Sequence, residues 1–229
     1  MNADLQDSHI ETLRCARWAD VLDADHLRRV LDALTEHDVP MGDHVCRKGE
    51  PVNTWFGVIS GLVKLGSVSP EGKAVTYTGV TAGGWFGEGS LLKKELRRYD
   101  VVALRDTRIA AVPKATFLWL LAHSIPFNRF ILDQLNERLA QMIALVDSDR
   151  MRDPEARVAH CVASLFNAQL YPRTENYLQI SQEEIGHLSG LSRQRVNYAL
   201  QVLQDRGLLR VEHIGVTVVD LSALRRVLR

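Results

Sequence analysis

Cysteine is scarce in this chain. Its 229 residues contain three, Cys15, Cys46 and Cys161, far apart and without a Cys-x-x-Cys pair. That spacing encodes neither a zinc knuckle nor a thioredoxin-type redox site, and an odd, sparse set argues against a disulfide framework. The expectation is reduced thiols packed in or near the core as small hydrophobes. Long apolar runs are missing as well: none approaches the ~18–20 residues that cross a bilayer. Residues 1–7 are acidic and polar, without the basic start and apolar stretch of a secretory signal, so a cytoplasmic location with no membrane partner is expected. The chain also lacks a Gly-x-Ser-x-Gly elbow, a phosphate-binding glycine loop and a His-Glu-x-x-His pair. Ser, His and Asp are plentiful, but no spacing organises them into a nucleophile and base, and an enzyme is not expected.

An excess of one charge is absent too: 28 Lys+Arg balance 28 Asp+Glu. The balance conceals an asymmetry. Residues 1–149 carry 17 basic and 20 acidic side chains, residues 150–229 carry 11 and 8, and all 11 of those basic residues are arginine. If any part of the chain meets a polyanion, the C-terminal third is the candidate. With 46% hydrophobic and 24% charged residues, the composition is that of a globular protein, and its length suits one large or two modest domains.

Three textures follow one another. Residues 12–38 read as a short helical entry, with Leu22, Leu27, Val30, Leu31 and Leu34 near helical spacing. From Val39 to Val112, glycines punctuate short runs rich in valine, threonine and aromatics, at 55–59, 62–65, 74–77 and 101–104. Turn signals about every ten residues predict an antiparallel sandwich or barrel, and residues 69–73 (Ser-Pro-Glu-Gly-Lys) predict a hairpin tip. The third texture begins near Pro113. Pro126 suits a first helical turn, and no proline or glycine follows until Pro154. Leu132, Leu135, Leu139, Met142 and Val146 are spaced 3, 4, 3, 4, a heptad seam by which two helices pack along their length. Phe130, Ile131, Ile143 and Leu145 widen that face. Two readings stay open here, a dimerisation helix or a buried helix of a monomer. Beyond Asp153-Pro154 a further helix is expected over 157–170, and a domain boundary near 149–154.

The sharpest signal lies in residues 179–220. Ser181 can cap a helix, with Glu184 three residues later as in a capping box. The helix 182–189 carries Ile185 and Leu188, and Gly190 stops it. Ser192 then caps a second helix, 193–205, whose apolar set is Val196, Ala199, Leu200 and Leu203. Small Gly186 lets the helices cross closely and Val196 anchors the second to the core, which makes a helix-turn-helix. Its second helix would turn Arg193, Gln194, Arg195, Asn197 and Tyr198 outward, toward a major groove. Arg matches the paired acceptors of guanine, and Gln or Asn can pair bidentately with adenine. With Ser181 and Ser192 these residues form the candidate DNA-binding set. Residues 207–219 predict a β-hairpin wing able to touch phosphates.

In this order the parts resemble the CRP/FNR family of bacterial transcription regulators over nearly the whole chain. The markers are Gly49-Glu50, residues 58–63 (Val-Ile-Ser-Gly-Leu-Val), Gly72-Lys73, residues 84–88 (Gly-Trp-Phe-Gly-Glu), Glu184-Ile185-Gly186 and residues 192–196 (Ser-Arg-Gln-Arg-Val). The resemblance implies an α+β fold: an N-terminal β-roll of double-stranded, jelly-roll-like form in residues 1–125, a dimerisation helix in 126–152 and a winged helix-turn-helix in 153–229. It also implies a homodimer that reads a two-fold symmetric operator, with RNA polymerase as a protein partner. Ser192 and Arg193 match the family's phosphate-contacting serine and base-reading arginine. Gln194 replaces a common glutamate and Tyr198 a later arginine, so the base preference is expected to differ beyond one guanine.

The effector, if there is one, would lie in the roll. In cAMP-binding members a Gly-Glu pair, and an Arg-Ser pair ten residues beyond the glutamate, hold the ribose and the cyclic phosphate. Here Gly87, Glu88 and Arg98 are present, but the serine position is Tyr99 and the helix positions that meet the adenine are Met142 and Ile143. Either Glu88 and Arg98 bind a cyclic nucleotide or other small effector, or they pair with each other and pin the loop. An iron–sulfur sensor would need more N-terminal cysteines than Cys15 and Cys46. Haem ligation would fall to His9, His26, His37 or His44, more readily explained as surface or core histidines. The competing function is a cyclic-nucleotide-binding module that regulates a partner protein.

Overall fold

The computed structural model describes residues 16–227, apart from 69–71, 73, 151, 152, 173 and 175 and the side chains of 147–150. The leading helix α1 is Ala24–Ala33, capped by Asp23, whose side chain accepts from the amides of Asp25 and His26. Residues 12–15 of the expected entry helix lie outside the described residues. Its other end is corrected: Thr35–Val39 is strand β1, antiparallel to a later strand. Sheet pairing there overrides the leucine spacing that suggested helix.

Seven further strands complete the N-terminal half: β2 (His44–Cys46), β3 (Thr54–Ser60), β4 (Leu62–Val68), β5 (Ala74–Thr81), β6 (Trp85–Phe86), β7 (Asp100–Ala103) and β8 (Thr107–Pro113). They form two four-stranded sheets, ordered β1-β8-β3-β6 and β2-β7-β4-β5, with every pairing antiparallel. Strands with period-2 burial, such as β7, send Val101 and Ala103 inward and leave Val102 half-buried. The inward residues Val58, Val63, Leu65, Val80, Phe86, Val101 and Ile109 fill the space between the sheets. The tip predicted at 69–73 lies mostly outside the described residues, but Gly72 takes the left-handed backbone such a turn uses (φ 80°).

A second core closes the first sheet from outside. The helices α2 (Glu88–Lys93) and α3 (Lys114–His123) and the long helix α4 (Ile125–Arg150) follow the strands. Trp18, Trp55, Trp85, Phe117 and Phe127 meet in one cluster, where the Trp55 and Trp85 ring centroids are 4.5 Å apart and those of Trp18 and Trp85 4.9 Å. Four of the five are among the largest fully buried side chains. Large aromatic areas packed edge to face supply much of the burial that seats α4 on the roll.

The C-terminal third has its own core. Asp153 caps α5 (Pro154–Ser164), with Pro154 in the first turn where its missing N–H costs nothing. Seven of the eleven residues of α5 are buried, and α6 (Gln182–Ser189), α7 (Arg193–Asp205) and α8 (Leu221–Arg226) pack around it. A three-stranded sheet, β10 (Leu209–Glu212), β11 (Gly215–Val218) and β9 (Tyr177–Leu178) in that order, forms the wing. The helix expected over 157–170 is corrected: it ends at Ser164. Leu170 and Tyr171 instead join the core of the roll, and the Tyr171 hydroxyl donates to the Gly79 carbonyl at 2.9 Å. Of the cysteines, Cys46 and Cys161 are free thiols and buried; Cys15 lies outside the described residues.

The aromatic cluster predicts a large core penalty. Trp55→Ala should destabilise the chain by about 3–5 kcal/mol, read as a lower urea midpoint at unchanged slope; a loss under about 1 kcal/mol would show that the cluster does not hold the roll to α4.

Candidate nucleic-acid interface and the β-roll cradle

The helix-turn-helix is built as its residues demand. The Ser181 hydroxyl accepts from the Glu184 amide at 3.1 Å, and the Glu184 carboxylate accepts from the Ser181 amide at 2.6 Å, a reciprocal cap of α6. Gly190 ends α6 in the left-handed region (φ 66°), where a side chain would be strained. A Cβ on Gly186 would come within 2.8 Å of the Leu191 carbonyl, so the crossing of α6 and α7 requires glycine there. The Ser192 side chain then caps α7 through the Arg195 amide.

Val196, Ala199, Leu200 and Leu203 bury the inner face of α7. Helical geometry therefore leaves Ser192, Arg193, Gln194, Arg195, Asn197 and Tyr198 exposed on the other face, with Tyr198 60% exposed. Ser181 is exposed beside them. Asn197 is oriented by its neighbour helix: Gln182 donates its side-chain amide to the Asn197 carbonyl oxygen at 3.1 Å. The wing tip presents exposed His213 and Ile214, and the Tyr177 hydroxyl donates to the Ile214 carbonyl. All of the sequence-expected DNA-binding residues thus fall on one accessible surface. Arginines and amides at the start of the second helix are the groups that read base edges in a major groove.

The effector residues fare differently. Gly87 stands at the N-cap of α2 and Glu88 opens the helix, 2% exposed. Arg98 is not beside it: Arg98 lies at the surface and makes two hydrogen bonds of 2.8 Å to Glu95. Both expected roles of Arg98, phosphate ligand and partner of Glu88, are therefore corrected. Both arginines lie in the irregular segment before β7, where Arg97 and Arg98 face opposite ways. Arg97 takes the inner position at 4% exposure, stacks over the Phe56 ring and donates to the Thr54 carbonyl at 2.7 Å. Tyr99 is half-buried against the roll core. Burial, then the nearby Glu88 carboxylate, push its hydroxyl up to about 12.

The partner of Glu88 is Arg138 of α4, whose Nε donates to the carboxylate at 2.7 Å. Arg138 also donates to the Trp85 carbonyl, as does Gln134 one turn earlier. Burial alone would lower the Arg138 pKa, but the Glu88 carboxylate and two nearby tyrosines outweigh it and hold the guanidinium charged. The family resemblance implies a cyclic nucleotide in this cradle, and the residues present match that expectation only in part. One oxygen of the carboxylate that would meet a ribose is engaged by Arg138, its other oxygen and Nη1 of Arg97 are buried without a hydrogen-bond partner among the described residues, and Arg98, expected on the phosphate, faces solvent. Met142 is half-buried and Ile143 exposed. His26, His37 and His44 belong to no cluster of metal ligands among the described residues; His9 lies outside them.

Gln134, Arg138 and Gln141 were missed as inward-facing residues, although their 4, 3 spacing is a legible polar stripe. It turns α4 by about one residue against the expected seam. Leu132, Leu139, Ile143 and Val146 stay exposed. Leu135 and Met142, expected on the seam, are half-buried, Leu135 against the aromatic core.

Arg105 is another residue the sequence did not single out. It follows β7 and reaches the C-terminal third, where its Nε and Nη2 donate to both oxygens of Glu184 at 2.8 and 2.7 Å. One carboxylate thus completes the cap of α6 and ties α6 to the roll. Arg157 donates to the Ser189 carbonyl at 2.6 Å from α5, and Leu188 approaches Gly79 of β5. Clefts of about 350 and 480 Å³ flank this junction.

Comparison with known proteins agrees with this division of labour. The cyclic nucleotide-binding domain family matches residues 36–124, and the Crp-like helix-turn-helix domain family matches residues 156–227. A roll of the first kind joined to a DNA-binding module of the second defines a DNA-binding transcription regulator. The chain is 28% identical over 193 residues to the cAMP-activated global transcriptional regulator CRP of Haemophilus influenzae, covering 82% of this chain and 84% of the relative. It is likewise 28% identical over 192 residues to the CRP-like cAMP-activated global transcriptional regulator of Mycobacterium tuberculosis, covering 82% and 86%. In fold it matches FixK2 of Bradyrhizobium japonicum (TM-score 0.66, 18% identity, 84% of this chain and 96% of that one). The chain belongs to the CRP/FNR family. Among its described residues no helix is long and apolar enough to cross a membrane.

The Arg105–Glu184 pair predicts a measurable coupling. A double-mutant cycle of Arg105→Ala and Glu184→Gln should give a coupling energy of about 1–3 kcal/mol in urea unfolding. Additive losses would mean that the pair does not tie α6 to the roll.

Proposed function

We propose that this regulator acts as a homodimer on a two-fold symmetric operator, each copy placing the start of α7 in one major groove. The carrying observation is the exposed face of α7. Arg193 supplies the bidentate contact to guanine, Gln194 and Asn197 are the candidates for adenine, and Arg195, Ser181 and Ser192 address phosphates. Tyr198 brings an aromatic edge where an arginine would bring a cation, which changes the preference at that step. The exposed apolar residues of α4 join the two copies. Domain limits of 1–125, 126–152 and 153–229 suit this reading, with work in the cytoplasm and RNA polymerase as the protein partner.

Regulation follows from the joints. A change that shifts α4 against the roll, or loosens Arg105 from Glu184, would alter the angle between the two α7 helices. That selects between dimers that can and cannot engage successive grooves. With Arg98 turned to solvent and paired with Glu95, cAMP is not assigned as the trigger.

The test is fluorescence anisotropy on a palindromic operator selected from random duplexes. Arg193→Ala should cost about 1–3 kcal/mol on that operator and relax preference at one guanine. The wild-type affinity should fall steeply with salt, as release of counterions from phosphates requires. An equal loss on all sequences would reduce Arg193 to a phosphate contact, and salt-insensitive or absent binding would overturn the reading.

A further inference from the structure

The outward face of α4 has a stricter pattern than an apolar stripe. Ile125, Leu132, Leu139 and Val146 recur every seventh residue, and all four remain between 53% and 70% exposed. The alternate half-heptad positions hold Arg129, Asn136 and Ile143, also exposed. Leucine at one position and β-branched Ile143 at the other is the pattern of a parallel two-stranded coil. A strict seven-residue repeat imposes the left-handed supercoil that keeps such a seam closed. Asn136 is the polar residue in its middle, with Leu132 and Leu139 on either side.

We propose that Asn136 fixes the register and two-stranded state of the dimer by hydrogen bonding to Asn136 of the partner subunit across the two-fold axis. The inference rests on the homodimer reading and adds the residue that makes the dimer specific. Five exposed apolar side chains offering roughly 100 Å² each leave about 1,000 Å² for two copies to bury, the size at which a specific interface begins. The occupant is a second copy of this chain because of the chemistry of the carboxamide. It carries a donor and an acceptor on one flat group, so it is satisfied by an identical group facing it. An unrelated apolar helix would bury it unpaired, at a cost. A slipped or antiparallel pair would do the same, and a single polar residue at such a position selects register and oligomeric state at a cost in stability.

Register matters for reading DNA. A slip of one heptad along α4 would move the two copies of α7 relative to each other by about 10 Å, from the rise of 1.5 Å per residue. The two half-sites, set a helical turn apart, would then no longer be met together.

The experiment uses the full chain. Sedimentation velocity of the wild type and of Asn136→Leu reads the oligomeric state, and Leu132→Cys and Ile143→Cys, each added to the three native cysteines, read the register by the oxidative crosslinking they gain over the wild type. The expected wild type is a dimer, and each added cysteine should crosslink to its own copy. Adding Asn136→Leu should tighten association at least tenfold, produce species larger than dimers, lower the crosslinking yield at both positions and weaken operator binding. A dimer with crosslinks and operator affinity unaltered by Asn136→Leu would overturn the role of Asn136 alone. A monomeric wild type would overturn the homodimer reading, and the proposal with it.

Discussion

The buried pair between Glu88 and Arg138 is the interaction on which the rest of the architecture turns. A carboxylate 2% exposed at the start of a short helix is costly unless a cation meets it. The cation here comes from α4, 50 residues later, at 2.7 Å. Gln134 and Arg138 both donate to the Trp85 carbonyl, so the roll holds α4 by polar groups and not only by its aromatic cluster. That fixes the rotation of α4 about its axis. Once Gln134, Arg138 and Gln141 face inward, Leu132, Leu139, Ile143 and Val146 have nowhere to point but out.

The same economy of charged groups joins the roll to the DNA-binding module. Glu184 caps α6 through Ser181 and receives Arg105 from the roll, so the stability of the first helix and its placement share one carboxylate. Tyr171 reaches from beyond α5 to the Gly79 carbonyl, within the inter-sheet core. These contacts are few, and clefts of about 350 and 480 Å³ lie beside them.

The helix-turn-helix was legible to the residue because its rules are local: a capping box, a left-handed glycine, a small residue at a crossing and an aliphatic anchor each act within a few positions of the chain. The strands were legible through their valines and turns. The face of α4 was not, because a 3, 4 spacing of apolar residues fits two adjacent rotations, and long-range contacts, Arg138 with Glu88 and Gln134 with Trp85 beside the aromatic core, choose between them. Arg98 was misplaced for a related reason. Arg97 and Arg98 are adjacent in the irregular segment before β7, they face opposite ways, and family spacing cannot tell which of them faces in. The exchange of Leu135 for Asn136 on the outward face is what brings a polar residue into the seam.

The central claim is that α4, so rotated, joins two copies and that DNA reading depends on it. Sedimentation velocity and operator titration of the wild type and Leu139→Asp, a substitution at an exposed site that leaves the roll core untouched, test it most directly. The account predicts a dimeric wild type, a folded monomeric Leu139→Asp chain with unchanged circular dichroism, and an operator affinity lowered at least a hundredfold. A wild type that stays monomeric while binding the operator at full strength, or a Leu139→Asp chain that remains dimeric, would contradict it.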